Sequence, residues 1–335
     1  MTRFFIKRGG TIMEDFKYLI PEESIDAIIT NVEKLREIEN NLRNIFGHYG
    51  YNEVLMPSFE YVDLYTQLDC GFELDKMFQY INHEGKNVAM RLDFTIPLAR
   101  LYANSYKTGE ARYSYFGKVY RKETMHKGRS SEFFQGGVEL MNKPGLPGDC
   151  EIMMMIQESL PGLSLSHIII EIGSAKFYNR LLQLVGKQEE FIEILRLRNI
   201  SGMKEFIRKN DFSSQLNALL LELPTCFGDI HMLNQAIDKI EDPILLGSLN
   251  ELKALYDSLD KKDGIIFDLG MVPTMKYYTG LMIKGYSRYS ANPILSGGRY
   301  DDLLPRFNVQ AGAIGFCFHM NHILKAIEKE GEYHD

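Results

Sequence analysis

Tryptophan is absent from this chain of 335 residues, and cysteine is scarce, with four in all. Cys70, Cys150, Cys226 and Cys317 stand far apart with no paired spacing, which argues against both a zinc site and a disulfide framework. A reduced, cytoplasmic setting is the expectation. No apolar run approaches the about 20 residues that a membrane-spanning helix needs. The opening Met-Thr-Arg-Phe-Phe-Ile-Lys-Arg is basic but lacks the apolar core of a secretory signal. Positive charge is also short: the formal net charge is −7, so nucleic-acid binding starts at a disadvantage. What is present is ample apolar material, 45% of residues, enough for one large domain or two ordinary ones.

Read along the chain, residues 1–12 form an N-terminal extension expected to lack structure, with Met13 a candidate start. Ile25, Ile28, Ile29, Val32, Leu35, Ile38, Leu42 and Ile45 recur at helical spacing and stop at Gly47, predicting one long amphipathic helix. Met77–Ile81 and Asn87–Arg91 flank His-Glu-Gly-Lys and predict a hairpin. Asp93 or Thr95 is placed to cap the helix that follows, and for Thr95 capping is the favoured role. Asp149–Leu160 predicts a Met-rich helix filling a core, and His167–Ile172 a buried strand. Residues 175–260 turn helical, which suggests an inserted helical subdomain. Residues 13–174 and 261–330 then make up the core. In the latter, Gly264–Gly270 predicts a strand returning to the main sheet, and the adjacent Tyr277 and Tyr278 read as strand residues pointing to opposite faces.

The stretch with most chemistry is Tyr115 to Met141. Aromatic and β-branched residues flank a Lys-Gly-Arg turn signal, predicting a long-looped hairpin. Arg121 and Glu123 on one side, and Glu132, Gln135 and Glu139 on the other, can converge on one face. Such a set suits something small and polar: the arginine fork suits a carboxylate or phosphate, and Gln135 with Glu139 an ammonium or imidazole. A solvated face of ordinary ion pairs is the competing reading of the same residues.

Tyr-Arg-Lys-Glu, then Lys-Gly-Arg, then Glu-Phe-Phe-Gln-Gly-Gly-Val-Glu resembles motif 2 of class II aminoacyl-tRNA synthetases in its histidyl form. Arg121, Glu123, Lys127, Gly128, Arg129, Phe133, Gln135, Gly137 and Glu139 fall in register with it. Pro-Glu-Glu, a long helix and Tyr51–Pro57 resemble motif 1, which implies a dimer. Asp93 takes the place of the acidic residue that grips the α-amino group of histidine. Tyr-Tyr-Thr-Gly at 277–280 is half of the histidine-specific signature, and Gly-Gly-Arg-Tyr-Asp at 297–301 matches the family's turn. The resemblance therefore implies an α+β fold: a class II aminoacyl-tRNA synthetase-like core with a mixed, mainly antiparallel sheet flanked by helices, and an inserted helical subdomain. It also implies a histidine-binding set of Asp93, Arg121, Gln135, Glu139, Tyr278 and Tyr300.

Elsewhere the pattern is broken. The signature's arginine falls on Pro273, its glycine on Thr274 and its aspartate on Lys276. In Ala313–His322, at the place of motif 3 (Gly-Phe-x-x-Gly-Leu-Glu-Arg), the glutamate is Asn321 and the phosphate-clamping arginine is His322. Proline offers no side-chain donor, and histidine lacks the permanent charged fork. Losing one such transition-state group typically costs about 10²–10³ in rate. His319 and His322, three apart on an expected helix, are weak evidence for a metal, and neither a metal nor a cofactor is expected. After Asp335 no residues remain for an anticodon-binding domain, so tRNA is not an expected partner.

Retained ligand contacts with lost reactive groups are similar to the synthetase-like regulatory subunits of ATP phosphoribosyltransferase. That resemblance implies no catalytic residue of its own and a short-form catalytic subunit as partner. It also implies a homodimer of this chain within a hetero-octamer, L-histidine as feedback effector, and a place in the first step of histidine biosynthesis. His126, Lys127 and Arg129 in the hairpin loop are then candidates for the subunit interface, and for an alternative inhibitor site there. An active histidyl-tRNA synthetase-like adenylating enzyme is the alternative, kept open by Arg121 and Arg129, and a ligand-free scaffold is a third reading.

Overall fold

The computed structural model describes residues 6–8, 11–13, 29–68, 70–105, 109–122, 131–186 and 189–334. The chain opens with strands β1 (Ile6–Arg8) and β2 (Thr11–Met13), which pair antiparallel. The extension expected to lack structure thus carries two short paired strands.

Helix α1 (Ile29–His48) follows, with Ile38, Leu42 and Phe46 buried along one stripe. The expected residues 25–28 lie outside the described ones. Next come β3 (Asn52–Glu53), β4 (Phe59–Tyr61), α2 (Val62–Thr66), β5 (Gln79–Ile81), β6 (Asn87–Met90) and α3 (Thr95–Asn104). The expected hairpin is β5 with β6, and β4 joins it in a small sheet of order β4-β6-β5. Strands β7 (Ala111–Tyr120) and β8 (Glu132–Met141) then pair along their whole length, from Ala111↔Met141 to Tyr120↔Glu132.

Helix α4 (Leu146–Ser159) fills the core with Met153 and Met155, as its composition predicted. It leads into β9 (Ile168–Ser174), which buries Ile170 and Ile172 on one face while Ile169 stays exposed on the other. Helices α5 (Ala175–Val185), α6 (Glu189–Arg196), α7 (Ile200–Lys209) and α8 (Ser214–Glu222) follow, then the two-residue β10 (Phe227–Gly228), α9 (Ile230–Lys239) and α10 (Pro243–Ser258). Local signals set several of these starts. Asp242 accepts from the backbone N–H of Ile244 and Leu245 while Pro243 occupies the first turn of α10, a position where its missing N–H costs nothing. Finally β11 (Ile265–Asp268), β12 (Leu281–Ser287), β13 (Leu295–Arg299) and β14 (Ala313–His319) complete the sheet before α11 (Met320–His334).

Among the described residues, nine strands form the main sheet in the order β10-β11-β9-β12-β13-β14-β8-β7-β3. Only β11 with β9 and β3 with β7 run parallel; the other neighbours are antiparallel. This is the expected mixed, mainly antiparallel sheet flanked by helices. Because side chains alternate along a strand, each strand divides its residues between two faces. Val138, Leu140, Ile172, Ile283, Phe316 and Phe318 share one buried cluster with residues of α1, α4 and α10. Gln135, Gly137 and Glu139 point the other way, toward the cluster that Leu92, Phe94 and Ile96 share with Tyr113 and Tyr115.

Two expectations about the end of the chain change. Gly297 and Gly298 belong to the central strand β13, so the expected Gly-rich turn is sheet, and a Cβ at Gly298 would sit 3.0 Å from the Tyr278 ring. His319 ends β14 and His322 lies on α11, so the two histidines do not share a helix; strand pairing of 313–319 with β8 and β13 overrides the helical reading.

Candidate ligand-binding site

On the face opposite α1 and α4, a cleft partly open to solvent touches all six residues predicted to bind a ligand: Asp93, Arg121, Gln135, Glu139, Tyr278 and Tyr300. Sequence alone did not find the others that line it, among them Thr95, Tyr277, Ser296, Cys317 and His319. The hairpin-loop candidates His126, Lys127 and Arg129 lie outside the described residues, as does Glu123. Glu132, grouped with the pocket in sequence, bonds Lys118 on the hairpin's partner strand and is not among the residues touching the cleft. Period-two alternation explains this: Glu132 and Glu139 are separated by an odd number of positions and face opposite sides.

Glu139 is buried at the centre. Its carboxylate accepts from Thr95 Oγ1 at 2.6 Å and from the Tyr300 hydroxyl. Thr95 therefore does not cap α3 as expected: it is the first helical residue, and its hydroxyl is spent on Glu139. Gly315 on β14 makes room for this carboxylate, because a Cβ there would overlap Glu139 Oε2. Burial pushes the Glu139 carboxyl up to about 8, with the nearby Asp93 adding to the shift and the Thr95 and Tyr300 bonds opposing it.

Asp93 lies in the short connection from β6 to α3. Its Oδ2 accepts weakly from the Ile96 backbone N–H at 3.4 Å, and its Oδ1 is buried with no hydrogen-bond partner among the described residues. Buried polar atoms rarely remain orphaned unless something else completes them. Burial raises this carboxyl to about 7, against the pull of Arg121 and the Ile96 N–H.

Arg121 stands one residue past β7. Its backbone N–H donates to Ser131 O at 3.0 Å across the hairpin, and its Nε donates to Leu92 O at 2.9 Å. The guanidinium is thus fixed between the hairpin and the connection bearing Asp93. Gln135 faces the cleft from β8 and is 5% exposed. Tyr277 and Tyr278 sit in a turn before β12 rather than in a strand, so they do not point to opposite faces. Both line the cleft, edge to face at 5.4 Å, and Tyr277 also meets Tyr300 edge to face at 5.6 Å.

At the far end His319, directly opposite Gln135 in the β14–β8 register, bonds Ser296 Oγ through Nε2 at 2.8 Å. Burial, His322 and Arg121 together push its ring down to about 3. His322 turns aside, its Nδ1 donating to Pro293 O at 2.7 Å. The second glycine of the motif 3 pattern falls on His319, a departure legible in the sequence. Among the described residues no three His, Cys, Asp or Glu side chains come together as a metal site, and no helix is long and apolar enough to cross a membrane.

Two buried carboxyls beside one fixed guanidinium, walled by tyrosines, suit a small molecule carrying both a cationic and an anionic group. The fold and this pocket place the protein in the histidyl-tRNA synthetase class, whose sequence profile, described as histidyl-tRNA synthetase, matches residues 26–323. The ATP phosphoribosyltransferase regulatory subunit of Lactococcus lactis subsp. lactis is 46% identical over 95% of this chain and 98% of its own. That of Clostridium acetobutylicum is 30% identical over 94% of this chain and 80% of its own. A solved structure from Bacillus halodurans, described as an ATP phosphoribosyltransferase regulatory subunit/histidyl-tRNA synthetase, superposes with a TM-score of 0.85 at 26% identity, covering 94% of this chain and 84% of that one. The chain belongs to the family of ATP phosphoribosyltransferase regulatory subunits.

Proposed function

We propose that this chain is the regulatory partner of a short-form ATP phosphoribosyltransferase catalytic subunit, required for its activity, and that its cleft binds L-histidine as feedback inhibitor. The observation that carries the effector is the buried Oδ1 of Asp93, without a partner among the described residues, in a cleft that also holds Glu139, Gln135 and Arg121. The α-amino group of histidine completes Asp93, its imidazole meets Glu139 and the surrounding tyrosines, and its carboxylate meets Arg121. The chain supplies no chemistry of its own. Pro273 and His322 replace the two arginines of the synthetase pattern, and His322 commits its Nδ1 to a backbone carbonyl.

Inhibition then follows from linkage. Histidine binds one arrangement of this subunit and its partner more tightly and shifts the assembly toward an inactive state. Ligands of the catalytic site must weaken histidine binding by the same factor, typically about 1–3 kcal/mol. A homodimer within a hetero-octamer in the cytoplasm, without tRNA, belongs to the same proposal. The test is phosphoribosyl-ATP formation by the short catalytic subunit, with and without this protein, across a histidine titration. Activity that appears only in the mixture and falls with histidine supports it. No effect of this chain on activity removes it, and histidine-dependent ATP–pyrophosphate exchange by the chain alone would install the adenylating enzyme instead.

A further inference from the structure

The cleft is chemically polar along β8. Glu139, with Thr95, Tyr300 and nearby Asp93, forms an acidic end; Gln135, four residues and about 13 Å of strand away, faces His319 across the β8–β14 pair. His319 is held on two sides. Its backbone N–H donates to Ile294 O at 2.8 Å, and its Nε2 shares a hydrogen with Ser296 Oγ at 2.8 Å. Ser296 reaches it from β13, where it sits opposite Cys317. An uncharged imidazole carries one ring hydrogen, and the hydrogen bond at one nitrogen sets where it lies. When the Ser296 hydroxyl donates to Nε2, the hydrogen is on Nδ1, and the ring is a donor.

We infer that His319, set by Ser296, is a specificity-determining residue at the anionic end of the cleft, where it recognises the carboxylate of an amino-acid ligand together with Arg121 and Gln135. This rests on the proposed binding of histidine. It adds a residue that the synthetase pattern does not provide, since that pattern has glycine there. A neutral donor gives direction without a second permanent charge, so the carboxylate is read but not gripped, which suits an effector that must leave as its concentration falls.

The experiment is calorimetric titration of the full chain with L-histidine and with L-histidinol, which keeps the ammonium and imidazole groups but has an alcohol in place of the carboxylate. The unmodified chain is expected to prefer histidine. His319→Ala lowers the histidine-to-histidinol affinity ratio about 10-fold, the size of one lost bond to a charged group, with histidinol affinity unchanged. His319→Asn, which returns a side-chain N–H at that position, keeps part of the preference, as a space-filling role would not. If His319→Ala fails to fold, Ser296→Ala carries the test and should lower the same ratio. An unchanged ratio, or equal losses for both ligands, overturns the inference while leaving histidine binding intact. Binding of neither ligand to the unmodified chain overturns both readings.

Discussion

Strands β8 and β14 are hydrogen-bonded neighbours in the same sheet, yet they have fared differently against the synthetase pattern. Along β8 every patterned residue is in place, and Gln135 and Glu139 both enter the cleft. Along β14 and the start of α11, His319, Asn321 and His322 stand where the pattern has glycine, glutamate and arginine. The replacements keep the fold's own contacts: Asn321 Oδ1 accepts from the Phe134 backbone N–H at 2.7 Å, so it still ties α11 to β8. What changes is the charged pair of the pattern, now an amide at Asn321 and an imidazole at His322. On the proposed reading, holding a ligand and driving a reaction on it rest on separable side chains, because the sheet needs only backbone bonds and an amide to stay registered.

Breaking the β8 side should have the largest effect. Glu139→Ala removes the acceptor of two hydroxyl bonds and the group facing the imidazole, and histidine affinity is expected to fall on the order of 100-fold or more. Arg121→Ala should cost about 10- to 100-fold by the same reasoning. Calorimetry on the isolated chain, followed by histidine titration of phosphoribosyl-ATP formation in the complex, checks both. Undiminished inhibition in both variants would move the sensor out of this cleft, with the hairpin loop the next place to look.

A middle-sized effect comes from pH and sharpens the same contrast, since the acidic end titrates near neutrality. Asp93 and Glu139 sit at about 7 and 8 in the folded chain, above their ordinary 3.8 and 4.5. A carboxyl raised on folding contributes stability that is complete at acid pH and is lost as pH rises through its folded value. The ligand-free protein should therefore melt at lower temperature at pH 9 than at pH 6. A bound ammonium favours the ionised Asp93, so histidine binding near pH 7 should release protons and tighten as pH rises across the window from 6 to 8. Calorimetry in two buffers of different ionisation enthalpy reads the release directly, and its absence would mean that the ammonium does not meet Asp93.

The smallest effect is expected on the β14 side. Asn321→Ala removes one neutral hydrogen bond to the Phe134 backbone, worth about 1 kcal/mol of stability, and should leave histidine affinity unchanged. A large loss of affinity would show that the two strands are not separable in the way their side chains suggest.

Much of this was legible in the chain. The long-looped hairpin, the Met-rich core helix and the amphipathic first helix follow from periodicity that survives in a single sequence, and the resemblance to four synthetase stretches, motif 2 supplying Arg121, Gln135 and Glu139, picked out six residues that the fold brings to one cleft. The misreadings share a cause. Thr95 looked like a helix cap because local capping rules see only the next three residues, whereas its partner Glu139 is 44 positions away. Tyr277 and Tyr278 looked like a strand because aromatic pairs favour strands, but they turn to wall the cleft. His319 looked helical, yet β14 takes its ladder partners from β8 and β13.

The sequence by itself determined which side chains alternate to which face of each strand, where several helices begin, and that the cleft-facing residues of the pattern outlast its two arginines. Only the tertiary structure decided that Asp93 Oδ1 is left without a partner among the described residues, that Thr95 and Tyr300 meet on Glu139, and that His319 faces Gln135 with Ser296 behind it. The reason is physical: periodicity and capping are set by neighbours along the chain, whereas burial, orphaned polar atoms and shifted carboxyls come from residues far apart in sequence, and exist only once the sheet has closed over them.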